Sequence, residues 1–140
     1  EVTRVRDIDR LCGDRMTVFG GVLGFESFVA GAEGWVAVAS HVAPGPMARL
    51  FELVADAPRI DEARELYLPW LPIIEAVFGQ GYVGGTKALL NHMGCPVGAP
   101  LPPRLPLPPA DDAEMQALVA RFGLAFPAVA GAPAVRVAAK

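Results

Sequence analysis

Few side chains in this 140-residue chain could carry chemistry, and the histidines come first among them. An apolar run, Trp35 to Ala39, ends at Ser40 and His41, and histidine titrates near neutral pH. It could therefore act as an acid, a base or a hydrogen-bond donor to a substrate hydroxyl. A histidine here could also anchor a loop by bonding to backbone groups, and this second interpretation is favoured. His92 lies near the end of a predicted helix, where the helix dipole accounts for it.

Lysine is the side chain that forms imines with carbonyl substrates, and the sequence contains only Lys87 and Lys140. A lysine used in this way needs a depressed pKa, which comes from burial or from neighbouring cations. Lys87 falls on a predicted peripheral helix, where solvation or ion pairing explains it. Lys140 ends a tail without periodicity. The sequence therefore predicts that no nucleophilic lysine lies in this chain.

The composition excludes several classes of protein. Hydrophobic residues make up 53% of the chain and charged residues 19%, so a largely disordered state is excluded. A net charge of -3 gives no support for binding nucleic acid. Apolar runs are too short for a membrane span, and Cys12 and Cys95 have neither disulfide nor metal-site spacing. We therefore expect a cytoplasmic protein without a nucleic-acid or membrane partner.

The first third of the chain alternates between helical and strand-like patterns. Apolar residues recur at helical spacing over residues 3–12 and 25–30 and again after Pro44. Between them lie two short apolar runs, Met16–Phe19 and Trp35–Ala39, that suit buried parallel strands. This order is typical of β/α units on a parallel sheet. Two strands cannot form a sheet with a buried centre, so further strands must come from upstream in the polypeptide or from another chain.

The rest of the chain has a helical pattern with one proline-rich interruption. A helix is predicted over residues 60–78, with a kink or break at Pro69 and Pro72. A second is predicted over 82–93, and residues 96–109 must be extended because prolines exclude a helix there.

The last predicted helix begins at Asp111, where Glu114 would complete a capping box. Gly123 is expected to end this helix. The remaining residues lack a period and are expected to be loose.

Five stretches in this order resemble the dihydrodipicolinate synthase / N-acetylneuraminate lyase superfamily. VFGG at 18–21 and GAEGWVAVASHVAP at 31–44 resemble its last two barrel units. The stretches at 61–78, 87–109 and 111–124 resemble the helices that follow the barrel and their proline-rich connection. The resemblance covers roughly residues 1–126.

The resemblance implies an α/β fold, the C-terminal part of a (β/α)8 TIM barrel followed by a C-terminal helical extension. Residues 1–57 would be the last β/α units, 58–126 the helical extension and 127–140 a loose tail. The family's Schiff-base lysine ends strand six and is expected just before Glu1. No catalytic residue is therefore expected in this segment.

The resemblance also implies which residues line the substrate pocket. Gly20 and Gly21 end the seventh strand, where missing side chains let a substrate approach the backbone. Val36 and Val38 match positions that face the barrel interior, and His41 lies at the end of the eighth strand. Core packing explains the valines equally well, whereas for the glycines the resemblance favours a place in the pocket over a simple tight turn.

The implied activity is that of a Schiff-base-dependent lyase or aldolase acting on pyruvate or another 2-keto acid. This chemistry needs no metal or dissociable cofactor, and the family implies a homodimer or homotetramer. Residues 81–87, GYVGGTK, depart from the motif usual in dihydrodipicolinate synthases. The alternatives are therefore a sugar-acid dehydratase, a 2-keto-3-deoxy-sugar-acid aldolase, or a relative that binds a keto acid without turnover.

Overall fold

The computed structural model describes residues 2–55, 58–78 and 81–127. The chain divides into two compact units, Glu1–Glu75 and Ala76–Lys140, which are described separately. The elements in chain order are α1 (Val2–Cys12), β1 (Phe19–Gly20), α2 (Gly24–Val29), β2 (Gly34–Trp35), α3 (Pro44–Ala55), α4 (Ile60–Ala76), α5 (Tyr82–His92) and α6 (Pro109–Phe122).

The first unit contains a parallel pair of strands. Phe19 lies opposite Gly34 and Gly20 lies opposite Trp35, so β1 and β2 are in register from their first residues. The predicted alternation of helices with parallel strands is therefore confirmed for the described residues. Each strand has one hydrogen-bonded edge, and its other edge has no strand partner among the described residues.

Both strands are shorter than the sequence predicts. The predicted strands Met16–Phe19 and Trp35–Ala39 are wrong in extent, because only the end of the first and the start of the second are paired. The chain instead forms a 3₁₀ turn over Val38–His41. Ser40 contributes a local alternative to strand pairing, since its Oγ donates to the carbonyl oxygen of Ala37 at 2.6 Å.

Apolar packing joins the helices of the first unit to this sheet. Val5 of α1, Val18 and Ala32 form one buried cluster, against which Phe28 and Ala30 pack. The apolar faces of α3 and α4 contribute a further set of buried residues, which are Met47, Leu50, Leu53, Val54, Ala63, Tyr67, Ile73 and Ile74.

Helix α4 contains Pro69 and Pro72 in its interior. A kink or a break was predicted there; the break is wrong, because the helix is continuous from Ile60 to Ala76, and the kink stays a prediction. Proline removes one hydrogen bond and crowds the preceding turn. Burial of Ile73 and Ile74, each 1% exposed or less, offsets that loss by packing.

The second unit consists of α5, α6 and the proline-rich segment between them. Residues 96–108 contain no helix, as predicted, although Pro109 already begins α6. Side chains of α5 hold this segment: Lys87 Nζ donates to the carbonyl oxygens of Val97 and Ala99, each at 2.9 Å. Asn91 accepts from the backbone of Val97 at 2.9 Å.

Helix α6 begins earlier than predicted, and it does so without a capping box. Pro108 is the N-cap, no side chain caps the helix, and the helix starts at Pro109. The prediction that Asp111 and Glu114 form a cap is therefore wrong. Proline fits the first helical position because its missing N–H would lack a partner there.

The predicted end of α6 is confirmed, since Gly123 adopts the left-handed conformation with φ 59°. Of the predicted loose tail, residues 128–140 lie outside the described residues. No helix within the described ranges is long and apolar enough to cross a membrane.

Candidate functional site

Gly20 occupies the end of β1 because nothing larger fits against α2. A Cβ added there would collide with the side chain of Ser27, whose Oγ would lie only 2.7 Å away. Ser27 is 3% exposed, and its Oγ donates to the carbonyl oxygen of Leu23 at 2.6 Å. The seryl side chain is therefore fixed, and the position of Gly20 is determined by its packing on α2.

Gly21 follows directly and lies in a more open place. It lines a cleft of about 460 Å³ together with Val18 and Phe19. Arg4 and Ile8 of α1 form the other wall of this cleft. A glycine on such a wall leaves its backbone accessible to a small molecule.

Val36 lies next to Gly20 and Gly21, which together form the glycine loop. Its backbone N–H donates to the carbonyl oxygen of Gly20 at 3.0 Å, which continues the parallel ladder past β2. The side chain of Val36 is 66% exposed, and that of Phe19 is 60% exposed. The Phe19 ring covers Gly34, two residues before Val36, so both side chains belong to one exposed apolar face of the sheet.

Val38 and His41 lie in the 3₁₀ turn rather than on a strand. His41 Nδ1 lies 2.9 Å from the carbonyl oxygen of Val38. Because a carbonyl oxygen only accepts, Nδ1 carries the proton and donates this bond. This is the loop-anchoring geometry that the sequence favours. It leaves Nε2 of an exposed ring without a partner among the described residues.

A second, apolar cleft lies beside β2. It measures about 610 Å³, and its walls include Phe19, Trp35, Met47 and Phe51. Glu33 is the charged residue in its wall, no Arg, Lys or His lines it, and the hydroxyl of Ser40 already donates to the backbone. The cleft therefore offers no cationic partner for a carboxylate and is suited to apolar surface.

The indole N–H of Trp35 is buried and has no acceptor within the described part of the chain. A buried donor without a partner loses the hydrogen bond it would make in water. An acceptor oxygen from outside the described residues would restore the missing hydrogen bond of this indole N–H.

Lys87 has a structural position in the second unit. Its Nζ donates to two carbonyl oxygens and so holds the proline-rich segment against α5. The prediction that the nucleophile lies outside this chain remains a prediction, and this geometry gives Lys87 another role.

Sequence reasoning missed one polar pair in the first unit. Tyr67 of α4 is 2% exposed, and its hydroxyl donates to Glu26 Oε2 of α2 at 2.8 Å. The phenol ring stacks on Phe25 with 5.3 Å between ring centroids. Burial raises the pKa of Tyr67, and the carboxylates of Glu26 and Glu75 raise it further. The hydroxyl therefore stays protonated and remains a donor.

The burial of Tyr67 could have been predicted from the helical spacing of apolar residues in α4. Tyr67 lies four residues after Ala63 and seven before Ile74, so it belongs to the same buried face. A buried tyrosine usually finds a partner for its hydroxyl. The partner, 41 residues away along the chain, could not be identified from spacing.

The described residues contain no group of three His, Cys, Asp or Glu side chains that could hold a metal ion. The arrangement at the end of the sheet is thus a glycine loop, an exposed apolar face and an anchored histidine. Such an arrangement can line a pocket for a small substrate, and it presents no nucleophile of its own.

A family model gives the class of protein. The model of the dihydrodipicolinate synthetase family matches residues 1–122, and the chain belongs to this family. The resemblance read from the sequence is therefore confirmed.

Curated relatives carry a more specific name. The 4-hydroxy-tetrahydrodipicolinate synthase of Syntrophobacter fumaroxidans is 31% identical over 124 residues, which are 86% of this chain and 42% of that protein. The synthase of the same name from Streptococcus pneumoniae is 30% identical over 95 residues, 68% of this chain and 29% of that protein. The chain therefore spans less than half the length of these relatives.

Solved structures show the same fold. A candidate dihydrodipicolinate synthetase from Pseudomonas aeruginosa is 29% identical with a TM-score of 0.78, over 87% of this chain and 42% of that one. Dihydrodipicolinate synthase from Aquifex aeolicus is 18% identical with a TM-score of 0.81, over 90% of this chain and 43% of that one. The fold of this chain thus matches a part of these larger barrel proteins.

Proposed function

We propose that this chain is the C-terminal part of a (β/α)8-barrel lyase or aldolase that forms a Schiff base with pyruvate or another 2-keto acid. The family match over residues 1–122 carries the proposal. The catalytic lysine is placed upstream of Glu1, at the end of the preceding strand. Lys87 is engaged with two carbonyls and fits a structural role.

The proposed reaction forms an imine on the lysine, uses that imine to activate the substrate, and then hydrolyses it. The lysine amine adds to the ketone carbon, and loss of one water leaves an imine. The protonated imine withdraws electrons from the neighbouring carbon, which loses a proton to give an enamine. The enamine adds to the carbonyl carbon of a second substrate in condensation, or expels hydroxide from the next carbon in dehydration. In cleavage the carbon–carbon bond breaks instead to release a carbonyl product, and the resulting enamine takes up a proton. Water returns at the end to release the product and the free amine. No metal or dissociable cofactor takes part in these steps.

The residues of this chain bind and orient the substrate in this proposal. The backbone at Gly20 and Gly21 approaches the keto acid, and Gly21 is the more accessible of the two. Val36 and Val38 exclude water from the imine. His41 holds the loop through Nδ1 and turns its remaining nitrogen to solvent or substrate.

The proposed domain division follows the family architecture, with barrel units over 1–57, the helical extension over 58–126 and a tail over 127–140. The two compact units of the structure divide after residue 75, and the contact between Tyr67 of α4 and Glu26 of α2 lies within the first unit. A cytoplasmic homodimer or homotetramer completes the proposal.

The test is turnover by the complete protein that contains this chain. We expect consumption or release of pyruvate with at least one partner among aldehydes and 2-keto-3-deoxy sugar acids. The departure at residues 81–87 favours a sugar-acid dehydratase or aldolase as the second candidate. Pyruvate binding without turnover of these substrates, and without dehydration of a sugar acid, would instead support a non-catalytic binder.

A further inference from the structure

The glycine loop is positioned through α2, and this gives the helix a role in the site. Gly20 packs so closely on Ser27 that a movement of α2 must move the end of β1 with it. The two residues before Ser27 on α2 are Phe25 and Glu26. Both are contacted by one side chain of α4, that of Tyr67.

The contact combines two kinds of interaction. The Tyr67 ring stacks on Phe25 at an interplanar angle of 28°, and its hydroxyl bonds to Glu26 at 2.8 Å. A ring contact alone tolerates sliding along the helix, whereas a hydrogen bond to a carboxylate fixes both distance and direction. The hydroxyl therefore supplies the directional part of the contact.

We infer that Tyr67 and Glu26 are positioning residues for the glycine loop. Through this pair, α4 of the helical extension sets the positions of Gly20 and Gly21. The inference rests on the proposed function. It makes α4 part of the substrate-binding apparatus, one layer removed from the keto acid. Neither side chain touches the reacting atoms.

The experiment compares two single variants of the complete protein. Tyr67→Phe keeps the ring on Phe25 and removes the hydroxyl. Glu26→Gln keeps an acceptor oxygen for that hydroxyl and removes the charge. Tyr82→Phe is the matched control, because Tyr82 is exposed and begins α5 in the second unit.

The readout is the pyruvate concentration that half-saturates borohydride trapping, followed by KM and kcat for the natural reaction. For Tyr67→Phe we expect the half-saturating concentration and KM to rise about fivefold, which corresponds to one hydrogen bond of ordinary strength. We expect kcat to change less than KM. Glu26→Gln replaces the bond to a carboxylate by a weaker bond to a neutral amide oxygen, so it should raise both values, but less than Tyr67→Phe does. Tyr82→Phe should remain close to the unchanged protein.

A lowered melting temperature in Tyr67→Phe, with half-saturation and KM unchanged, would overturn the inference and leave the pair a purely structural contact. An equal rise of KM in Tyr82→Phe would also overturn it, since the effect would not be specific to α2. Failure of the unchanged protein to be trapped by pyruvate would refute the proposed function itself, which separates the two failures.

Discussion

At the residue scale, the structure gives the glycines and the histidine different roles. Gly20 is required by the close approach of Ser27, whereas Gly21 lines an open cleft. His41 makes the backbone bond expected of a loop anchor. The sequence predicted that these residues lie at the ends of two neighbouring strand-like runs. Contacts with α2 and with Val38 could be seen only in three dimensions.

The role of His41 is tested by His41→Asn. The asparagine amide can still donate to the carbonyl of Val38, so we expect turnover to change about twofold at most. Trapping with pyruvate should be unchanged. His92→Asn serves as the control, because His92 bonds to Asp112 within the second unit. Loss of trapping in the His41 variant alone would show that His41 acts on the substrate.

The packing of Gly20 is tested by Gly20→Ala in the complete protein. The added methyl group must displace Ser27 or the strand, so we expect a loss of about 1–3 kcal/mol in the free energy of unfolding. Denaturant titration gives the value. Gly45→Ala is the control, because a Cβ there meets no atom within 4 Å. Equal losses in the two variants would contradict the proposed close contact.

At the element scale, helices were predicted better than strands, and the reason is physical. Helical spacing is a local property, so α2, α4 and α5 begin and end within two residues of their predicted limits. A parallel strand depends on partners that are distant along the chain, and each strand here pairs on one side only. The predicted start of α6 is also two residues from the observed one, but its predicted cap is absent because proline at the first position replaces a side-chain cap.

The proline-rich segment gives a prediction at this scale. Asn91 bonds to the backbone of Val97 and Gly98, accepting from both N–H groups and donating to the carbonyl of Gly98. Asn91→Ala removes these bonds and should cost about 1–2 kcal/mol. Trypsin should then cut faster after the exposed Arg104. Asn91→Asp keeps both acceptor bonds and should resist better; equal cleavage of the two variants would contradict this account.

At the scale of the whole molecule, the first unit exposes surface that a complete barrel would bury. Phe19 and Val36 form an exposed apolar face, and Trp35 Nε1 lacks an acceptor within the described residues. The relatives are more than twice as long as the part that this chain matches. Alternation of strands with helices predicted the architecture, and the exposed face is the reason to place further strands against it.

The 140-residue chain alone is therefore expected to fold poorly. Two strands with unpaired outer edges and an exposed apolar face do not supply independent stability. Heating the isolated chain should give a broad, gradual loss of helical circular dichroism, without a cooperative step. A sharp transition that follows near-ultraviolet and far-ultraviolet signals together would contradict this expectation.

We expect residues of this chain to line a keto-acid pocket and the imine-forming lysine to lie upstream of Glu1. Borohydride reduction of the complete protein with pyruvate tests it most directly, because reduction fixes the imine on the lysine that formed it. Peptide mapping by mass spectrometry should show one adduct per chain, on the peptide that precedes Glu1, and none on residues 1–140. An adduct on Lys87, or no adduct at all, would contradict the account.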